Sequence, residues 1–197
     1  MRALEWHRRL TDLAGRHGKR LFTRAELANL AGSRIPVAHM QITRLVSVGV
    51  LRRYVRGFYG LPGLRDAGEL VAALDPSAYV TARHGLFLHG ALEQVPSVIT
   101  AFTCRAWRRR RVETALGPVV FTRVRAPIHR RPLKGGVATA EQCLLDWVWV
   151  LLKEGLDPES QGALDTASLD EGRLRALAAF YPRAVARRAA RLLVRKI

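Results

Sequence analysis

The segment between Arg34 and Ser47 carries side chains that can read the edges of base pairs. Arginine bonds bidentately to guanine and glutamine to adenine, while Val, Met and the Thr methyl group suit the methyl group of thymine. The residues expected to contact DNA from this segment are Arg34, His39, Gln41, Thr43 and Arg44. The alternative is an ordinary solvated helix face, but the basic segment that follows favours contact with DNA.

That second basic segment has the pattern of a β-hairpin. Extended runs at residues 50–54 and 58–61 flank a turn that contains Gly57. At least one of the hairpin's aromatic side chains must pack inward, because a hairpin has two faces. The residues expected to contact phosphates or the minor groove are Arg52, Arg53 and Arg56.

The densest run of cations lies between Arg105 and Arg111. Four adjacent arginines cannot all point to one side of a strand, so the run is predicted to occupy a loop or a strand edge. A second phosphate-contacting surface is one interpretation, and a solvated edge that resists pairing with another chain is the other. The residues of this candidate DNA-binding surface are Arg108, Arg109, Arg110 and Arg111.

The last predicted helix, residues 182–197, carries arginines at successive i, i+4 positions. Like charges at this spacing destabilise an isolated helix by a few tenths of a kcal/mol per pair. An acidic protein partner or DNA would offset that cost, and a rigid helix favours the protein partner; a solvated face is the alternative. The candidate partner-binding residues are Arg183, Arg187, Arg191 and Arg195.

Enzymatic patterns are weak. His84 and His89 are five residues apart, a step that does not place two metal ligands on one helix face, and no neighbouring residue completes a zinc set. Asp146 interrupts an apolar run, but a lone carboxylate needs a catalytic partner that the sequence does not show. There is no glycine-rich phosphate loop and no G-x-S-x-G. The sequence therefore predicts no enzyme, no metal and no cofactor.

The elements expected to position the candidate DNA-binding residues occupy residues 1–62. A helix over 2–17, with Leu4, Leu10, Leu13 and Ala14 on its apolar face, precedes a capping box at Thr23 to Glu26. A turn at Gly32 leads to a third helix, which has Pro36 in its first turn. The hairpin follows this helix. Helix, helix, turn, helix and hairpin is the winged helix-turn-helix order.

Residues 67–197 are expected to form a second domain that mixes helices and strands. A strand at 78–80, a helix at 82–89, a β-segment at 98–104 and a hairpin over 111–124 come first. Thr139 to Gln142 has the spacing of a second capping box and opens an apolar helix, and two more helices end the chain. The fold class predicted for the whole chain is α+β.

Charge and composition point to a polyanionic partner inside the cell. The net charge is +17, of which residues 1–62 contribute +9 and residues 138–197 only +1. A GC-rich genome would explain the preference for Arg over Lys but not this excess.

Cys104 and Cys143 are interpreted as reduced, partly buried thiols, and no apolar run approaches the ~20 residues of a membrane span. The charged start, residues 1–9, lacks the apolar region of a signal peptide, so the cytoplasm is expected.

Motifs along nearly the whole chain resemble those of the AbiEi family of antitoxins from type IV toxin–antitoxin systems. Residues 22–60, which end in Gly-Phe-Tyr-Gly, are similar to the family's winged helix. In the second domain the resemblance rests on residues 76–80, on His89-Gly90 with Pro96, and on residues 138–146. Ala140 stands where the family more often has proline.

The resemblance implies two activities. Such proteins bind inverted repeats in their own promoter as double-stranded operator DNA and repress the operon. Their second domain is associated with neutralising a nucleotidyltransferase-like toxin that is encoded alongside. A stand-alone winged-helix regulator without a toxin is the alternative, and a gene for a nucleotidyltransferase next to this one would distinguish the two.

An RNA-binding module would require exposed aromatic platforms, whereas Trp147 and Trp149 are expected to pack in an apolar helix.

Overall fold

The N-terminal part of the chain folds around three helices and a small sheet. The computed structural model describes residues 3–106, 110–132, 135–161 and 164–194. The first elements are α1 (Ala3–His17), β1 (Leu21–Thr23), α2 (Arg24–Ala31), α3 (Ile35–Ser47), β2 (Arg52–Val55) and β3 (Phe58–Gly60). They belong to one compact unit, Met1–Asp66, which also includes Glu113–Leu116.

Helix α2 begins where the capping box predicts. The Thr23 hydroxyl accepts a hydrogen bond from the backbone N–H of Glu26 at 3.2 Å, and the Glu26 carboxylate accepts one from the N–H of Thr23 at 2.8 Å. Partial burial alone would raise the pKa of Glu26, but the hydrogen bonds from Lys19 and Thr23 hold it below its ordinary value. The predicted cap is confirmed.

A three-residue connection joins α2 to α3. Gly32 ends α2 with φ of 60°, a left-handed conformation that glycine adopts without steric cost, and its N–H donates to the carbonyls of Ala28 and Asn29. Helix α3 begins at Ile35 and has Pro36 in its first turn, as the sequence predicts. This sharp connection sets the direction of α3 against the helix before it.

The core of this unit lies between the helices and the sheet. The three strands have the order β1-β3-β2, and both pairings are antiparallel. The sheet leaves no room at Gly60, because a Cβ there would lie 2.2 Å from the carbonyl oxygen of Arg20. The apolar face predicted for α1 was partly wrong: Trp6 and Leu10 are buried, whereas Leu4 is 82% exposed.

The second unit, Ala67–Val112 with Gly117–Ile197, has its own sheet and a larger core. Its strands are β4 (Tyr79–Val80), β5 (Ile99–Thr103), β6 (Arg111–Val112) and β7 (Val119–Arg123), in the order β4-β5-β7-β6. Strands β5 and β7 are parallel and the other pairs antiparallel. Its helices are α4 (Ala67–Leu74), α5 (Ala82–Leu88), α6 (Ala140–Lys153), α7 (Glu171–Ala178) and α8 (Arg183–Val194), with a short 3-10 helix at Pro158–Ser160. The predicted α+β class is confirmed.

Helix α6 is the central element of the second core. Nine of its residues are buried, including Trp147, which agrees with the expectation that it packs. Only half of the predicted second capping box forms: the Thr139 hydroxyl accepts from the N–H of Gln142, but the Gln142 amide donates to the carbonyl of Arg130 at 2.8 Å instead. A tertiary contact has replaced the local one.

Candidate nucleic-acid interface

Helix α3 turns one face into the core and the opposite face to solvent. Ala38, Ile42 and Leu45 are buried, and they follow one another at the three- and four-residue spacing of a helix face. The opposite face is centred on Met40 and also carries Val37, Thr43, Arg44 and Ser47, all of them exposed. The face that the sequence predicts to contact DNA is therefore open to a ligand.

Exposed apolar side chains concentrate in and directly after α3. Of the eight large apolar side chains that are exposed in the described part of the chain, four lie in α3 or at its C-cap. Met40 has 68% of its surface exposed. These four residues are Ile35, Val37, Met40 and Val48. Leaving such groups in water has no benefit for folding, so this clustering indicates a contact surface.

The same region lacks acidic side chains altogether. Residues 27–65 contain six arginines and no Asp or Glu. Within the described ranges, no carboxylate forms an ion pair with Arg34 at the N-cap of α3, with Arg44 of α3, or with Arg53 or Arg56 of the hairpin. All four are exposed. Four unpaired guanidinium groups in one unit produce a positive potential that attracts phosphates.

The three arginines of the hairpin differ in their contacts. A two-residue turn, Arg56-Gly57, joins β2 to β3, and Gly57 has φ of 91° at the position where such a turn favours glycine. Arg53 and Arg56 are exposed, with Arg56 at the tip. Arg52 is also exposed, but its guanidinium donates to the carbonyl of Ala115 at 3.3 Å and lies 5.5 Å from the centre of the Tyr54 ring.

Gln41 and His39 lie on the two edges of the exposed face of α3. His39 is exposed, and its carbonyl accepts a hydrogen bond from the Thr43 hydroxyl at 3.0 Å. Gln41 is half-buried, and its Oε1 is buried without a hydrogen-bond partner in the described part of the chain. Reading adenine bidentately requires both the oxygen and the nitrogen of the amide, so Gln41 would have to change rotamer to do it.

The arginines predicted to act in the second unit are found in different surroundings. Arg110 and Arg111 are exposed at the start of β6, while Arg108 and Arg109 lie outside the described residues. On α8, Arg183, Arg187 and Arg191 are all exposed, but the guanidinium of Arg191 also lies 3.8 Å from the carboxylate of Glu159. Arg195 also lies outside the described residues.

The unpredicted Arg188 pairs more closely than its neighbours. Its guanidinium lies 2.8 Å from Glu159 and 3.6 Å from Asp157. The expected repulsion along α8 is therefore partly relieved inside the second unit, by acidic residues of the segment before α7.

Asp146 has the partners that the sequence did not reveal. Its carboxylate accepts hydrogen bonds from the Thr81 hydroxyl at 2.7 Å and the Tyr181 hydroxyl at 2.6 Å, and the residue is fully buried. Burial raises the pKa of Asp146 to about 7, although the hydrogen bonds from Tyr181 and Thr81 act to lower it. With no exposed surface, this cluster joins α6 to two other segments of the core and is closed to a substrate.

The other candidate chemical groups are separated. His84 is buried with its Nδ1 unpartnered in the described residues, and burial lowers its pKa, while His89 bonds through Nε2 to the carbonyl of Ala138. In the described ranges, no three His, Cys, Asp or Glu residues are placed to hold a metal ion. Cys143 is buried, but Cys104 is exposed, so the interpretation of two partly buried thiols was wrong.

Comparisons with known proteins give a fold and no function. No protein-family model matches the chain, and no curated protein matches it either. Among solved structures, the chain is similar to the crystal structure of the RV2827C protein from Mycobacterium tuberculosis, with a TM-score of 0.52 and 18% sequence identity. The match covers 96% of this chain and 76% of that one. Within the described residues, no helix is both long and apolar enough to cross a membrane.

Proposed function

We propose that residues 1–66 form a winged helix-turn-helix that binds double-stranded DNA with α3 in the major groove. The order of α1, β1, α2, α3, β2 and β3 is that of winged-helix domains. A three-residue turn with a glycine between α2 and α3 is typical of the helix-turn-helix. The major groove is about 12 Å wide, enough for one α-helix.

One observation carries this proposal more than any other. The exposed face of α3 combines unpaired arginine with exposed apolar side chains, in a 39-residue stretch that has no acidic residue. Arg44 supplies a bidentate donor for guanine, while Val37 and Met40 suit thymine methyls. Arg53 and Arg56 would contact phosphates beside the groove. A solvated face would not need exposed Met and Val at its centre.

We further propose that the protein is a cytoplasmic repressor of its own operon and an antitoxin. The support is the resemblance of residues 22–60 and 138–146 to the AbiEi family. Operator DNA with inverted repeats would bring two copies of the chain onto related half-sites. The alternative is a stand-alone regulator without a toxin.

Selection from a random pool of duplex DNA tests the DNA-binding proposal. The full chain is expected to enrich one sequence, preferably an inverted repeat, that also occurs upstream of its own gene. The Arg44→Ala variant should lose most of its preference for that duplex over a scrambled one, because the guanine contact is lost. Enrichment of single-stranded RNA in a parallel pool, or of no sequence at all, would contradict the proposal.

Co-expression with the product of an adjacent reading frame tests the antitoxin proposal. If that product is a toxic nucleotidyltransferase, the full chain should restore growth. Reversing two exposed arginines of α8 that form no ion pair in the described ranges, Arg183→Glu with Arg187→Glu, should abolish rescue and leave duplex binding intact. The matched control, Arg125→Glu with Arg173→Glu, makes the same change in charge at two exposed arginines that form no ion pair in the described ranges, and it should still rescue. An adjacent gene whose product is harmless would favour the stand-alone regulator.

A further inference from the structure

A small cavity opens at the carboxyl ends of the two parallel strands in the second unit. Thr103 ends β5 and Arg123 ends β7, and the two residues are paired in register. The cavity has a volume of about 190 Å³, several times the roughly 30 Å³ that one water molecule takes up in the liquid. Its lining consists of Thr103, Arg105, Ala106, Arg110, Phe121 and Arg123. The carboxyl ends of parallel strands are where open α/β sheets commonly bind ligands.

Three of the six lining residues are arginines, and they come from two different parts of the chain. Arg105 and Arg110 lie in the connection between β5 and β6, whereas Arg123 is brought beside them by the pairing of β7 with β5. The carbonyl of Arg110 accepts a hydrogen bond from the N–H of Phe121 at 2.7 Å, which attaches this connection to β7. Three arginine residues that line one cavity concentrate positive charge there and make it attractive to an anion.

A buried polar network holds the backbone at one side of the cavity. The Thr103 hydroxyl donates to the buried carboxylate of Asp75 at 2.6 Å and accepts from the N–H of Arg105 at 3.0 Å. The guanidinium of Arg105 lies 3.9 Å from the same carboxylate. Asp75 therefore balances one of the three positive charges and leaves a net charge of +2 for a ligand.

We propose that this cavity binds a terminal phosphate group, as in a phosphate monoester. A terminal phosphate carries a charge of about −1.5 to −2 at pH 7 and offers three acceptor oxygens, which match the net charge and the three arginines. A phosphodiester of a nucleic-acid backbone carries a single negative charge and matches less well. The site lies in the second unit and does not depend on the function proposed for the first.

Titration calorimetry on the full chain tests this site with small probes at constant ionic strength. Inorganic phosphate and methyl phosphate should bind, and dimethyl phosphate, a diester, should bind at least about tenfold more weakly. Affinity should rise between pH 5.5 and 7.5, because the second pKa of a phosphate monoester is about 6. The dinucleotide pTpT, compared with TpT, shows whether the phosphate can be the end of a nucleic acid or must belong to a smaller molecule.

Substitutions separate this site from general attraction to a basic protein. Arg123→Gln should weaken phosphate binding about 10- to 100-fold, through the loss of a charge-assisted hydrogen bond. Arg125→Gln removes the same charge from an exposed residue that does not line the cavity, and should have less than about a twofold effect. Arg123 is exposed, so its substitution should leave the melting temperature without phosphate unchanged. Equal weakening by both variants, or equal binding of the monoester and the diester, would overturn the proposal.

Discussion

Arginines on helix α3 and arginines on helix α8 face different surroundings. Around α3, Arg34 and Arg44 have no carboxylate partner in the described part of the chain, and the adjoining surface is apolar. On α8, Arg188 and Arg191 pair with Glu159. The arginines of the two helices therefore differ in whether a carboxylate of the same chain neutralises them. The paired arginines already contribute to the fold, whereas the unpaired ones around α3, like Arg183 and Arg187 of α8, are available to an anionic ligand.

This difference predicts that substitutions in the two regions will affect different properties, namely DNA affinity and stability. A surface that evolved only to be solvated would intersperse Asp and Glu with Arg, as in the second unit. The 39 residues without an acidic side chain around α3 are instead suited to a polyanion. Substitutions in α3 and the hairpin should therefore reduce DNA affinity, and substitutions of the paired or buried charges of the second unit should reduce stability.

The largest expected effect comes from reversing three unpaired charges of the first unit. The triple variant Arg44→Glu, Arg53→Glu and Arg56→Glu should bind the selected duplex on the order of 1000-fold more weakly, because each change removes a contact and adds repulsion. Fluorescence anisotropy at 0.15 M salt measures this.

The matched control reverses three exposed arginines of the second unit, Arg173, Arg183 and Arg187. It makes the same change in net charge and should lower affinity less than about tenfold, because these arginines are not among the proposed DNA contacts and their long-range effect is screened by salt. Equal losses in the two variants would remove the distinction between α3 and α8.

The next largest effect concerns Asp146, whose buried carboxyl group should affect the free energy of unfolding. Asp146→Ala should lower the free energy of unfolding by about 2–4 kcal/mol at pH 5, because the hydroxyls of Thr81 and Tyr181 lose their acceptor. Asp146→Asn keeps an acceptor and should cost less than about 1 kcal/mol. Urea denaturation measures both, and neither change should alter duplex affinity in folded protein.

The same carboxyl group predicts a pH dependence with a definite sign. Its pKa is about 7 in the folded protein and about 3.9 in an unfolded chain, so the folded state holds the proton more tightly between these values. The stabilisation of the folded state by this bound proton is complete below about pH 4 and is lost as the pH rises toward 7. Asp146→Asn should remove this component, so that the variant gains stability relative to the wild type at pH 8. A wild-type curve identical to that of the variant would contradict the assignment.

A smaller effect distinguishes two neighbours on α3. Arg44→Ala should cost about 1–3 kcal/mol of binding free energy on the selected duplex and much less on a scrambled one. Gln41→Ala should cost less than about 0.5 kcal/mol, because the Gln41 oxygen is buried and a bidentate contact to adenine requires it. A loss at Gln41 as large as that at Arg44 would show that the glutamine changes rotamer on DNA.

The smallest effect tests the pairing on α8. Arg188→Ala should lower the free energy of unfolding by about 1 kcal/mol, since its guanidinium lies beside two partly exposed carboxylates. Arg187→Ala, one residue away and without an ion pair in the described ranges, should change it by less than about 0.5 kcal/mol. Equal values from thermal unfolding would mean that the pairs do not contribute.

Local signals predicted the elements around α3 well. The capping box at Thr23, the turn at Gly32 and proline in the first turn of α3 act within four residues, so the sequence alone reveals them. The buried face of α3 also follows from its spacing. In α1 the same spacing allowed two apolar faces, and the core took Trp6 while leaving Leu4 in solvent. Periodicity cannot choose between such faces without the rest of the core.

Non-local contacts explain what the sequence did not reveal. Arg123 joins Arg105 and Arg110 only through the parallel pairing of β5 and β7. The partners of Asp146 are 65 and 35 residues away. Arg191 was predicted to face a partner, yet it lies beside Glu159, which precedes α7. Spacing along one helix carries no information about any of these contacts.

The central claim is that the unpaired arginines of the first unit bind duplex DNA, with Arg53 and Arg56 on its phosphates and Arg44 on a base edge. The most direct test is the dependence of the affinity for the selected duplex on salt concentration, for the wild type and for the triple variant Arg44→Glu, Arg53→Glu and Arg56→Glu. With about six phosphate contacts, log K should fall against log salt with a slope near −5 for the wild type. The slope should be less steep by about 2 for the triple variant, because Arg53 and Arg56 are the two phosphate contacts that it removes. A wild-type affinity that does not change with salt, or a slope that is the same in the variant, would contradict the account.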